Sequence, residues 1–105
     1  MRKNILLTIF LVILFLWSVS LTGSGEGGRL FIQKCGQCHT EEGKAPVFAP
    51  AKYASRQWHR FFSRNLHGRK KDISDLITEK ELEKIKNYLI QHAADSPKPE
   101  AAGLK

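Results

Sequence analysis

Three kinds of hydrophobic pattern follow one another along the chain. From Ile5 to Leu21 apolar residues run together, broken only by Thr8, Ser18 and Ser20. Arg2 and Lys3 precede that run, and Thr22-Gly23-Ser24-Gly25 follows it. A cationic start, an apolar stretch and a small-residue exit form the pattern of a secretory signal, with cleavage expected after Ser24. The run also approaches the about 20 apolar residues that span a bilayer. Residues 1–24 are therefore read as a signal peptide or an N-terminal membrane anchor. In both readings the Lys/Arg-led end stays cytoplasmic and the rest is exported.

Beyond residue 24 the apolar residues fall into helical spacing. Gly25 to Gly28 reads as a flexible lead-in. Arg29 to Lys34 reads as a first helix, with Leu30 and Phe31 four positions ahead of Lys34 and Cys35. Thr40 to Pro50 contains Pro46 and Pro50 and predicts a loop, because proline is excluded from helix interiors. Ser55 to Leu66 predicts a second helix, with Ser55 as N-cap and Trp58, Phe61, Phe62, Asn65 and Leu66 on one face. Arg56, Arg60 and Arg64 recur on the other side, and Gly68 ends the pattern. Thr78-x-x-Glu81 is a capping box that opens the last helix. Leu82, Ile85, Leu89 and Ala93 form its apolar stripe, with Tyr88 and His92 at the edge. Residues 95–105 contain Pro97 and Pro99 and read as a flexible C-terminal tail.

No strand pattern and no repeat occurs, so the fold class is all-α. The domain is assigned to residues 25–94. A chain of 105 residues holds one domain, and about 80 residues outside the leader make a small core. A buried prosthetic group would supply much of the missing apolar volume.

The chemistry is concentrated in Cys35-Gly36-Gln37-Cys38-His39. C-x-x-C-H is the attachment signature of c-type haem. Two thiols at that spacing form thioethers with the porphyrin, and the adjacent imidazole becomes the proximal iron ligand. Without the histidine, the thiols would read as a redox dithiol or half a zinc site. They are the only cysteines, so no second pair completes an all-cysteine zinc site. One covalently attached haem c is the expected cofactor, held by Cys35, Cys38 and His39. Attachment of such a haem outside the inner membrane agrees with an exported, periplasmic chain.

Gly27 to Phe31 leading into Cys35–His39, proline in the next loop, and Glu81-Leu82-x-x-Ile85-x-x-Tyr88-Leu89 give this chain its resemblance to the small class I cytochromes c. The resemblance covers residues 26–94 and implies about three helices wrapped around the haem. In that family a methionine before the last helix fills the sixth iron position, and here the one methionine is Met1. His59, His67, His92, a lysine, an exogenous molecule or nothing must take that place. His67 sits where the family has its methionine, beside Gly68, which lets the backbone approach closely. The resemblance thus implies metal ligation by His39 and His67 and a low potential, since methionine ligation raises it. It also implies that Pro46 or Pro50 offers a carbonyl to the His39 ring, Pro50 having the closer spacing.

Between Glu42 and Asp72 there is no acid, but Lys44, Lys52, Arg56, Arg60, Arg64, Arg69, Lys70 and Lys71. Eight cations exceed what two haem propionates need. An electrostatic docking face for an acidic redox partner is expected, anionic lipid being the competitor. Nucleic acid is not expected of an exported chain. No acid/base pair or nucleophile constellation points to an enzyme. The leading expectation is a monohaem one-electron carrier. The alternatives are a haem-based binder or sensor of small ligands with an open distal face, and an assembly subunit anchored through residues 1–24.

Overall fold

The protein is described by a computed structural model that covers residues 2–19 and 25–104, with side chains given for residues 2–13 of the first helix. These residues form five helices and no strand: α1 (Arg2–Val19), α2 (Glu26–Lys34), α3 (Ser55–Ser63), α4 (Leu66–Lys70) and α5 (Glu79–Gln91). The all-α expectation holds at that level. In α1 the apolar side chains from Ile5 to Ile13 are exposed. No helix among the described residues is long and apolar enough to cross a membrane. The exit sequence at Thr22–Ser24 lies outside the described residues.

The last helix is the scaffold. Thr78 caps α5 in both directions: Glu81 N–H donates to the Thr78 hydroxyl (3.2 Å), and Thr78 N–H donates to the Glu81 carboxylate (3.0 Å). These bonds satisfy two backbone donors that a helix start leaves open. Ile85 and Leu89, one turn apart, are fully buried against α2 and α3.

Helix α2 begins three residues before the sequence pattern predicts. Gly27 and Gly28, read as a flexible lead-in, lie inside it at its closest approach to α5. A Cβ on Gly27 would stand 2.6 Å from the Lys84 carbonyl oxygen and 2.9 Å from Tyr88 Cβ. The glycines serve packing here, and an ion pair between Glu26 and Lys84 (2.9 Å) flanks the crossing. Leu30 and Phe31 carry the buried face, and Phe31 packs edge-on against Phe48 (5.3 Å between centroids).

The expected second helix is two. Ala54, not Ser55, occupies the N-cap of α3, and its N–H donates to the Gln57 side chain (2.8 Å). Ser55 donates through its N–H and its hydroxyl to Asp95 (2.8 Å each). Trp58 anchors α3 in the core, and its indole N–H donates to the Pro50 carbonyl (2.8 Å). At Arg64–Asn65 the helix breaks, and α4 restarts at Leu66.

Residues 95–104, expected as a loose tail, lie along the body. Glu100 N–H donates to His92 O (3.0 Å), and Ala51 N–H donates to Glu100 O (3.0 Å). Tyr88 hydroxyl donates to the Glu100 carboxylate. Leu104 is buried in the core, its N–H donating to Phe48 O (3.2 Å).

Candidate functional site

Helix α2 delivers the C-x-x-C-H run directly. Its end tightens into a 3-10 turn over Cys35–Gln37, with His39 N–H donating to Cys35 O (3.0 Å). That turn sets Cys35, Cys38 and His39 half-buried along one stretch of surface. Cys35 packs against the core cluster, and burial pushes its thiol up to about 11, with Cys38 adding to the shift. A thiol so held is protonated at neutral pH. It is a poor redox nucleophile and a poor thiolate ligand, both of which require the anion. An uncharged sulfur suits this environment.

The His39 ring is oriented from two sides. Its Nδ1 lies 2.7 Å from the Pro46 carbonyl oxygen, and Phe48 meets it edge-on at 4.8 Å. Pro46 therefore takes the orienting role expected chiefly of Pro50. Pro50 is committed elsewhere, because its carbonyl accepts from Trp58. Pro50 is four residues further along the chain, buried in a 3-10 turn that supports α3.

His67 is carried by α4. Its ring centroid lies 6.2 Å from that of His39, with the planes 69° apart. Its Nδ1 lies 3.0 Å from the Lys71 carbonyl oxygen, and Phe61 meets its edge at 6.4 Å. Both histidines thus have Nδ1 engaged by a backbone carbonyl and Nε2 left for another partner. A carbonyl on the far nitrogen is the usual support of a metal-bound imidazole.

The other two histidines are placed apart from this pair. His59 is exposed on α3, beside a cleft that Glu79, Leu82, Glu83 and Lys86 of α5 complete. His92 ends α5, with Nδ1 on Lys98 O (2.9 Å) and its ring against Tyr88 (4.7 Å).

The donor set fits an iron porphyrin. His39 and His67, with ring centroids 6.2 Å apart, would be the residues to hold the iron of such a group. Cys35 and Cys38 precede one of these imidazoles in the same turn, and Phe48 and Phe61 provide apolar surroundings. No group of three or more His, Cys, Asp or Glu side chains suited to a metal ion occurs among the described residues, so a multidentate protein-only metal site has no support there.

Lys44, Lys52, Arg56, Arg60, Arg64, Arg69, Lys70 and Lys71 are all exposed. None joins the ion pairs found among the described residues, which link Lys34 to Glu81, Lys84 to Glu26 and Lys86 to Glu83.

Two parts of the site escape sequence reasoning, namely the Lys71 carbonyl and the left-handed backbone of Asn65 (φ 47°, ψ 48°). The only signal for the second is that asparagine tolerates this conformation better than most residues. Comparison of the chain with protein families, curated proteins and solved structures finds no match.

Proposed function

We propose that this chain is an exported monohaem c-type cytochrome that carries single electrons, with His39 and His67 as the two axial ligands. The observation that supports it most is the imidazole pair, with centroids 6.2 Å apart and each Nδ1 on a backbone carbonyl, beside two cysteines at attachment spacing. When bound, the haem supplies a one-electron iron couple whose potential follows from its axial ligands, and two imidazoles place it lower than a methionine–histidine pair.

The residues of the chain do the rest. Cys35 and Cys38 would tether the group through thioether bonds. The Pro46 and Lys71 carbonyls fix the two imidazole tautomers and ring directions, so the coordination shell needs little rearrangement between oxidation states. Phe48 and Phe61 pack edge-on against the two rings. The exposed cations from Lys44 to Lys71 attract an acidic partner and orient it during encounter.

One optical experiment tests this. The purified holoprotein should keep its haem through acid-acetone extraction and give a six-coordinate low-spin spectrum in both oxidation states. His67→Ala should turn the iron high-spin, whereas His59→Ala and His92→Ala should leave the spectrum unchanged. A native protein that is already high-spin would favour a small-ligand binder with an open distal face. Haem lost to acid-acetone would refute attachment.

A further inference from the structure

We infer that Asn65 is a positioning residue, whose left-handed backbone turns His67 toward His39. The inference deepens the proposed function and rests on His67 being an axial ligand.

Asn65 is the one non-glycine residue with positive φ among the described residues. Left-handed backbone is uncommon outside glycine, and asparagine is among the few residues that adopt it readily. Its position explains what it does. Were residue 65 right-handed, α3 would continue, and His67 would follow Arg60, Ser63 and Arg64 at spacings of seven, four and three. Those three residues are exposed and form the polar side of the helix. A continued helix would therefore carry His67 into solvent among arginines. The reversal at Asn65 instead starts α4 in a new direction and brings the ring to 6.2 Å from His39.

A pair of contacts closes α4 at its end, and a close approach marks its start. At its end, Lys71 N–H donates to His67 O (2.8 Å), while the Lys71 carbonyl faces His67 Nδ1 at 3.0 Å. At its start, the Asn65 amide lies over Gly68 so closely that a Cβ there would stand 2.5 Å from Nδ2 and 2.6 Å from Oδ1. Among the described residues, the only helix that α4 packs against is α3. Neither α2 nor α5 packs against it, so the reversal at residue 65 sets the direction in which α4 leaves α3.

Cyanide titration of the ferric holoprotein reads this directly, because cyanide must replace His67 and its apparent affinity scales with the fraction of protein in which His67 is released. Asn65→Ala should bind cyanide about tenfold more tightly, the left-handed conformation being unfavourable for alanine. Asn65→Gly, which keeps that conformation freely, should stay within about twofold of the native protein. Gly68→Ala should also tighten binding, because its methyl collides with the Asn65 amide. The double variant Asn65→Gly/Gly68→Ala removes the collision and should return toward native affinity.

If Asn65→Ala gives no holoprotein, the Gly68→Ala variant and its rescue decide the matter. Unchanged cyanide affinity in Asn65→Ala and Gly68→Ala, even with lowered melting temperatures, would overturn the positioning role, and so would failure of the double variant to recover. Those results leave the ligation reading intact. A low-spin His67→Ala spectrum overturns that reading instead.

Discussion

Replacing Gly27 by alanine sets two effects of known sign against each other. In an exposed helix the change is favourable by about 0.8–1.0 kcal/mol, because glycine loses more backbone entropy. Here the new methyl would stand 2.6 Å from the Lys84 carbonyl oxygen and 2.9 Å from Tyr88 Cβ, whereas ordinary contact begins at 3.4 Å. One of those atoms is backbone and the other adjoins it, so no rotamer change relieves the overlap. The α2–α5 crossing must open by most of an ångström. Overpacking of this kind costs about 1–3 kcal/mol, and the backbone clash argues for the upper half of that range. The net effect is a loss of about 1–2 kcal/mol, or about 4–16 °C in Tm at 4–8 °C per kcal/mol for a domain of this size. Gly28→Ala is the comparison, since its Cβ would meet only the movable Tyr88 ring edge at 2.9 Å, and its loss should be smaller. Thermal unfolding followed by circular dichroism measures both. A Gly27→Ala variant as stable as the native protein, or more so, would refute the tight crossing and with it the account of how α2 is held.

Trp58→Phe should cost about 1–3 kcal/mol in denaturant unfolding, because it leaves the buried Pro50 carbonyl without its donor; a neutral result would mean that the bond adds nothing. The bonds from Ser55 hold the Asp95 carboxyl below its ordinary range. A depressed folded value means that this stabilisation is present above the unfolded pKa of about 3.9 and is lost as pH falls through the folded one. The stability gap between native protein and Asp95→Ala, followed by urea titration, should accordingly be full at neutral pH and close in acid. A gap that widens in acid reverses the sign of the argument. Association with an acidic redox partner should slow as ionic strength rises, since screening shortens the reach of exposed charge to about 8 Å at 0.15 M. A flat salt response removes the docking role from the Lys44–Lys71 cations.

What could be read from the sequence divides by range. The start of α5 was legible because the Thr78–Glu81 capping box closes within four residues. The C-x-x-C-H run was legible for the same reason, and the structure adds only that a 3-10 turn carries it. Signals that depend on a distant partner failed. Gly27 and Gly28 carry the local mark of flexibility, and only the approach of Lys84 and Tyr88, more than fifty residues away, makes them part of a helix. Asn65 sits on an amphipathic pattern that continues unbroken through it, so the reversal is invisible to periodicity. The choice between Pro46 and Pro50 turned on which carbonyl Trp58 claimed. Leu104 is a single apolar residue in a polar, proline-containing stretch, too little to show a pattern, yet Phe48 and Gly36 line a place for it.

Leu104 also bears on the order in which the molecule is finished. A ribosome releases His39 long before it releases Leu104, a difference of several seconds at ordinary synthesis rates. Throughout that time the side of the C-x-x-C-H turn next to Gly36 lacks its last apolar neighbour, and the Phe48 carbonyl lacks the N–H that will later meet it. The segment that carries the two cysteines is made early and closed late. A chain that ends even a few residues short would remain in the earlier condition, with its attachment motif complete and its body still open beside it.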